Sequence, residues 1–159
     1  MMRNKPQSKD YKENVKPDFE WSNNCDLVDW NELADLYRTA LLGEKPAKQL
    51  ETVFSNSRYH CFVYNNARLI GVGRALADGA DCSYICDIAV HPDYQGRKIG
   101  KTIVKQLIAA SNGHQKIILY ANHGKEGFYS KLGFYKMNTA MAIFNNTKQA
   151  IDDGIITNI

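Results

Sequence analysis

Apolar residues along this chain recur with two periods, and the order in which the periods alternate is the first constraint on the fold. Phe19 to Ser22 predicts a short opening strand. Trp30, Leu33, Ala34, Tyr37 and Leu41 then follow helical spacing, with Asp29 as N-cap, Glu32 closing a capping box and an end near Leu42-Gly43. Pro46 suits the first turn of a second helix whose buried side holds Leu50, Val53 and Phe54. The period shortens from Tyr59 to Tyr64, and Asn65-Asn66 makes a tight turn into a returning strand, Arg68 to Leu76. Asp78-Gly79 turns into a further strand, Asp81 to Val90. A third helix carries Ile103, Val104, Leu107 and Ile108 and stops at Asn112-Gly113. Lys116 to Tyr120 reads as a strand covered on both faces, because Ile117, Ile118 and Leu119 are apolar in a row. Gly124 to Lys131 predicts a short helix ending at Gly133. Phe134 to Met137 and Met141 to Asn145 predict a final hairpin, and Ala150 to Ile159 stays ambiguous. The order β, α, α, β, β, β, α, β, α, β, β predicts an α/β chain with a mixed sheet, antiparallel early and with one parallel crossover around the third helix.

Composition narrows the class. With 159 residues and 44% hydrophobic content, the chain suits one domain with one real core, residues 19 to 159, behind a polar, mixed-charge tail from Met1 to Asp18. The net charge of +3 is too mild to argue for nucleic acid, which needs a dense basic face and aromatic platforms. No apolar run is long enough to span a bilayer, and Met1 to Pro6 lacks the apolar segment of a secretory signal, so no membrane partner and a cytoplasmic location are expected. Cys25, Cys61, Cys82 and Cys86 form no Cys-x-x-Cys pair. Cys82 and Cys86 sit roughly 13 Å apart along one strand, too far for a disulfide. Four reduced thiols are expected, and the histidines (His60, His91, His114, His123) show no metal-ligand spacing with them.

The candidate chemistry begins where the Asp81–Val90 strand feeds the third helix. Gln95, Gly96, Arg97, Lys98, Ile99, Gly100 and Lys101 form a loop with two glycines and three cations at a helix N-terminus. Such an end presents unpaired N–H groups and the positive pole of a dipole, and glycine lets the main chain close on phosphate oxygens. The loop therefore reads as an anion site suited to a pyrophosphate. A Walker loop is excluded, since the glycine it needs five positions before Gly100 is Gln95. The dinucleotide fingerprint is excluded as well, since only Gly96 and Gly100 are present of its three glycines.

The loop resembles Gln-x-x-Gly-x-Gly, the acetyl-CoA pyrophosphate loop of the GNAT superfamily of N-acetyltransferases. Gln95, Ile99 and Gly100 match, and Lys98 stands where the family usually has its first glycine, with its side chain expected to point outward. The block Asn122 to Phe134 resembles the second signature of the family, an asparagine followed by Phe-Tyr-x-Lys-Leu-Gly-Phe. The two signatures stand in the right order, one helix and one strand apart. The likeness runs from about Tyr59 to Phe144 and reaches the first two helices by topology alone.

The resemblance implies a centrally splayed sheet flanked by helices, with acetyl-CoA as co-substrate and no metal. It implies that the backbone of Ile88, Ala89 and Val90 pairs with the pantetheine amides, that Gln95 to Lys101 hold the pyrophosphate, that Asn122 contacts the pantetheine arm, and that Phe128 lines the cofactor wall. It also implies that Tyr129 serves the departing thiolate as proton donor. Asp87, near the expected acetyl group, is a candidate base through a water and equally a structural carboxylate; Tyr84 and His123 are weaker candidates, and His91 reads as a turn residue. Backbone N–H groups near Ile88 to Val90 are candidates to stabilise the oxyanion of the attacked thioester.

The leading expectation is acetyl transfer to a primary amine of a small molecule, aralkylamine- or polyamine-like, by direct attack in a ternary complex. Tyr37, Leu42 and Phe54 are candidate wall residues for that amine, and Glu44 or Glu51 could attract a cationic one. The alternatives are a protein N-terminal or lysine acetyltransferase and a non-catalytic acyl-CoA-binding module. The oligomeric state stays open, a homodimer included.

Overall fold

A computed structural model describes residues 19–157. The predicted tail, Met1 to Asp18, lies outside the described residues. Five strands form one sheet in the order β1-β2-β3-β4-β5: β1 (Glu20–Ser22), β2 (Tyr59–Asn65), β3 (Arg68–Ala77), β4 (Cys82–Val90) and β5 (Lys116–Ile118). The first three pairings are antiparallel and β4 with β5 is parallel, as the crossover predicted. The turn between β2 and β3 is tight because Asn66 and Ala67 both take left-handed conformations, one residue later than the expected Asn65-Asn66.

The helices α1 (Trp30–Thr39) and α2 (Ala47–Ser55) cover one face of the sheet. Leu33, Leu36, Tyr37, Leu50 and Phe54 pack there with Phe62, Leu69, Val72 and Ala89. The other face is covered by α3 (Ile99–Ala110), whose Ile99, Ile103 and Leu107 pack with Cys61, Val63, Ile70, Ala75 and Ile85. Each fully buried large aliphatic or aromatic side chain contributes about 1.5–3 kcal/mol. Gly73 sets how close α3 comes: a Cβ there would lie 2.5 Å from Ile103 Cγ2 and 2.7 Å from Ile88 Cδ1.

Asp29 caps α1 as expected, its Oδ1 accepting from Asn31 N at 2.9 Å and Glu32 N at 3.2 Å. Glu32 does not return the bond; its Oε1 accepts the Leu69 N–H of β3 at 2.9 Å, so it pins the helix to the sheet instead of closing a capping box.

Between β3 and β4 the register shifts, and Gly73 faces two β4 residues, Asp87 and Ile88. Asp87 is the odd one, with φ +54. Ile85 before it and Ile88 and Val90 after it all pack toward α3, whereas Ala89 packs toward α1 and α2. The bulge thus turns the carboxylate of Asp87 away from the apolar layer under α3 and onto the face that carries Arg74.

The predicted final hairpin does not form. Residues 134–145 contain no strand, and Tyr135, Met141 and Ile143 are almost fully exposed. Alternation names a face for a strand but supplies no layer to bury it, and a two-stranded unit without one is marginal. The ambiguous end instead contains α5 (Thr147–Asp152), capped by Asn146, whose Oδ1 accepts the Gln149 N–H.

Candidate functional site

The parting of β4 and β5 creates the site. Cys82, Ser83 and Tyr84 pair with Lys116, Ile117 and Ile118, and there β5 ends, two residues before the predicted Tyr120. Strand β4 continues to Val90 with no neighbour on that side among the described residues. The ring of Tyr120 stacks on Tyr84 at 6.2 Å just past the last pair. A cleft of about 910 Å³ opens along the unpaired stretch, large enough to hold an extended cofactor-sized ligand.

One end of the cleft is main chain. After Val90, the N-H group of His91 donates to Ile70 O at 2.8 Å, which holds the strand end against β3, and a 3₁₀ turn, Pro92–Tyr94, leads into the loop. His91 is a turn residue, as expected: its Nδ1 accepts the Asp93 N–H. Gln95 bridges back to β4, its Nε2 donating to Val90 O at 3.0 Å. Gly96 has φ +75 and Lys98 has φ +66, and no side chain caps α3. The N–H groups of Ile99, Gly100 and Lys101 consequently find no protein acceptor among the described residues. Ile99 is buried, so its main chain alone faces the cleft, whereas Lys98 and Lys101 are exposed and line it. Arg97 instead lays its guanidinium over the Tyr94 ring at 5.2 Å. Gly100 brings three elements together: a Cβ there would lie 3.5 Å from Val90 Cγ2 and 4.0 Å from Phe128 Cζ.

The short helix α4 (Glu126–Ser130) supplies the opposite wall with Phe128 and Tyr129, and Asn122 and Lys125 line the approach. Phe128 meets Tyr129 edge-on at 5.0 Å, and Phe134 meets Tyr129 at 6.1 Å. These rings fix Tyr129, and burial pushes its phenol pKa up, so the hydroxyl keeps its proton.

The other end is built from charged side chains. Asp87 Oδ2 accepts from Arg74 Nε at 2.6 Å and Oδ1 from Lys45 Nζ at 3.1 Å. Arg74 Nη1 donates to Ser57 Oγ at 3.0 Å, and Lys45 Nζ sits 5.0 Å from the Tyr37 ring centroid. Burial alone raises the Asp87 pKa, but the two cations lower it further, leaving it below the ordinary carboxylate range. An ion-paired carboxylate of that kind is a weak proton acceptor. Burial also pushes the neighbouring Cys86 thiol up to about 11, which keeps it neutral.

The structure brings Asp87, Ile88, Ala89, Val90, Gln95, Gly96, Lys98, Ile99, Gly100, Lys101, Asn122, Phe128 and Tyr129 to one cleft. Arg97 is not in its wall. Of the expected acceptor contacts, Leu42 lines the cleft, while Tyr37 and Phe54 are sealed in the core. Glu44 and Glu51 are exposed and lie outside it. Lys45 and Arg74 were not foreseen. A signal existed for Arg74, a lone cation inside an otherwise apolar strand, which has to find a partner.

The family model described as "Acetyltransferase (GNAT) family" matches residues 27–134. A Pyropia yezoensis protein described as an uncharacterized N-acetyltransferase, ycf52, is 30% identical over 124 residues, 74% of this chain and 64% of its own length. The chain thus spans less than two thirds of that relative. A protein of Oryza sativa subsp. japonica, serotonin N-acetyltransferase 2, chloroplastic, is 35% identical over 69 residues, 42% of this chain and 34% of its own. Among solved structures, a probable acetyltransferase of meticillin-resistant Staphylococcus aureus superposes with a TM-score of 0.71 at 24% identity, covering 79% of this chain and 97% of that one. A sheet split between its parallel strands, a bare helix end at the split and a family match that spans both signatures lead to one conclusion: this chain belongs to the GNAT family of acetyltransferases.

Proposed function

We propose that the protein is an N-acetyltransferase that moves the acetyl group of acetyl-CoA to the primary amine of a small molecule, with both substrates bound together. The observation that carries this reading is the six-residue stretch of β4, Ile85 to Val90, left without a strand partner among the described residues on the side that faces Tyr129 across the cleft. The residues present fit acetyl-CoA. The unsatisfied N–H groups at the start of α3, with Lys98 and Lys101 beside them, would hold the pyrophosphate. The free main chain of Ile88, Ala89 and Val90 would pair with the pantetheine amides as an added strand. Asn122 would meet that arm, and Phe128 would wall it.

Bound there, acetyl-CoA supplies a thioester whose carbon accepts the amine nitrogen as the C–S bond breaks. The chain contributes position and proton control. Loop and strand together aim the sulfur toward Tyr129, whose protonated hydroxyl donates a hydrogen bond to the leaving sulfur as negative charge builds on it. Asp87, committed to Lys45 and Arg74, anchors the acceptor end of the cleft; the amine sheds its proton to solvent.

The test is thiol release by the full chain with acetyl-CoA and a panel of primary amines. Amine-dependent release is expected. Tyr129→Phe should lower kcat by about 10²-fold while CoA affinity stays within about twofold. CoA binding without amine-dependent release would instead identify a binding module.

A further inference from the structure

Among the described residues Asp87 is the single carboxylate in the wall of the cleft, and both its oxygens are already taken. The same end holds two cations, Lys45 and Arg74, so one positive charge is left over. Lys45 Nζ has one acceptor among the described residues, Asp87, and the side chain, 29% exposed, lines the cleft. Arg74 bonds through Nε and Nη1, which leaves Nη2 without an acceptor among the described residues. The expected counter-charges are not there, since Glu44 and Glu51 lie outside the cleft.

We infer that the acceptor amine carries an anionic group, a carboxylate or a phosphate, which docks on Lys45 and Arg74 at the Asp87 end of the cleft. This rests on the acetyltransferase reading for its role but on the charge cluster alone for its chemistry. A second amine in polyamine style would meet spare positive charge there, and a neutral aralkylamine would leave it uncompensated. The anion satisfies it through charge-assisted hydrogen bonds. The same spare charge disfavours the ammonium form of an amine nearby, which favours the neutral nucleophile that attack on a thioester needs.

The experiment uses the full chain, alone and loaded with CoA, and amines in matched pairs: tyrosine against tyramine for a carboxylate, phosphoethanolamine against ethanolamine for a phosphate, and spermidine as the cationic extreme. Calorimetry reads affinity and thiol release reads turnover. The anionic member of at least one pair should bind about tenfold more tightly than its partner, the worth of one hydrogen bond to a charged group, and the pair that shows it names the anion. Lys45→Met should bring that pair close to parity, and Lys45→Arg should keep the preference, with CoA affinity as the check on folding. Equal or tighter binding of the neutral amines or of spermidine would overturn the inference. An anion preference without thiol release would uphold it and count against the acetyltransferase reading instead.

Discussion

The two ends of the cleft are made of different material. At the α3 end the cleft-facing groups are main-chain N–H donors on a twelve-residue helix, fixed by the fold and indifferent to which side chains surround them. At the Asp87 end they are three ionised side chains, from positions 45, 74 and 87, that exist as a site only because they meet. The first kind of construction suits a ligand part that never varies; the second can be retuned by one substitution. The difference also decides which end tolerates mutation, because main-chain donors survive the loss of any one neighbour and a charge triad does not.

Substitutions at the two ends should separate accordingly. The largest effect is expected from Asp87→Ala, which strands two cations at the end of the cleft and should destabilise the fold by about 3 kcal/mol, a fall in Tm of about 6–12 °C in thermal unfolding. Its pH dependence has a definite sign. The folded pKa of Asp87 lies below its unfolded value, so its contribution is present above pH ~4 and is lost as pH falls through the folded pKa. The stability gap between the wild type and Asp87→Asn should therefore narrow on acidification; a gap that widened would contradict the ion-pair assignment. Lys98→Gly comes next, with the opposite sign. Removing a Cβ from a left-handed residue should stabilise by about 1 kcal/mol, read as a raised urea midpoint. Lys101→Ala should matter least. Losing one exposed cation beside intact N–H donors should raise the KM for acetyl-CoA by about threefold, and added salt should erase the difference.

Legibility in the sequence follows the same division. The loop Gln95 to Lys101 and the block Asn122 to Phe134 could be read because main-chain sites need glycines and rings at fixed local spacing, and local spacing is what a sequence displays. The hairpin of β2 and β3 was legible for the same reason. Lys45, Arg74 and Asp87 meet across as many as 42 residues through a bulge, and no period in the chain announces that meeting. The split between β4 and β5 came from the family resemblance, whereas the run Ile117-Ile118-Leu119 suggested a longer β5. Glu32 shows a third case: its spacing from Asp29 fitted a capping box, yet the Leu69 N–H, brought near by the fold, captured its carboxylate. The predicted strands Phe134 to Met137 and Met141 to Asn145 misled because their apolar residues Tyr135, Met137, Met141 and Ile143 have no layer to cover them and stay exposed.

The bulge at Asp87 gives β4 two reading frames, one ending at Cys86 and the next starting at Ile88. Deleting the one residue between them, Asp87, would leave every other bond of the strand possible while taking away the carboxylate that holds Lys45 and Arg74. Chemistry and packing at this place are therefore inherited together, and neither can drift in length without the other.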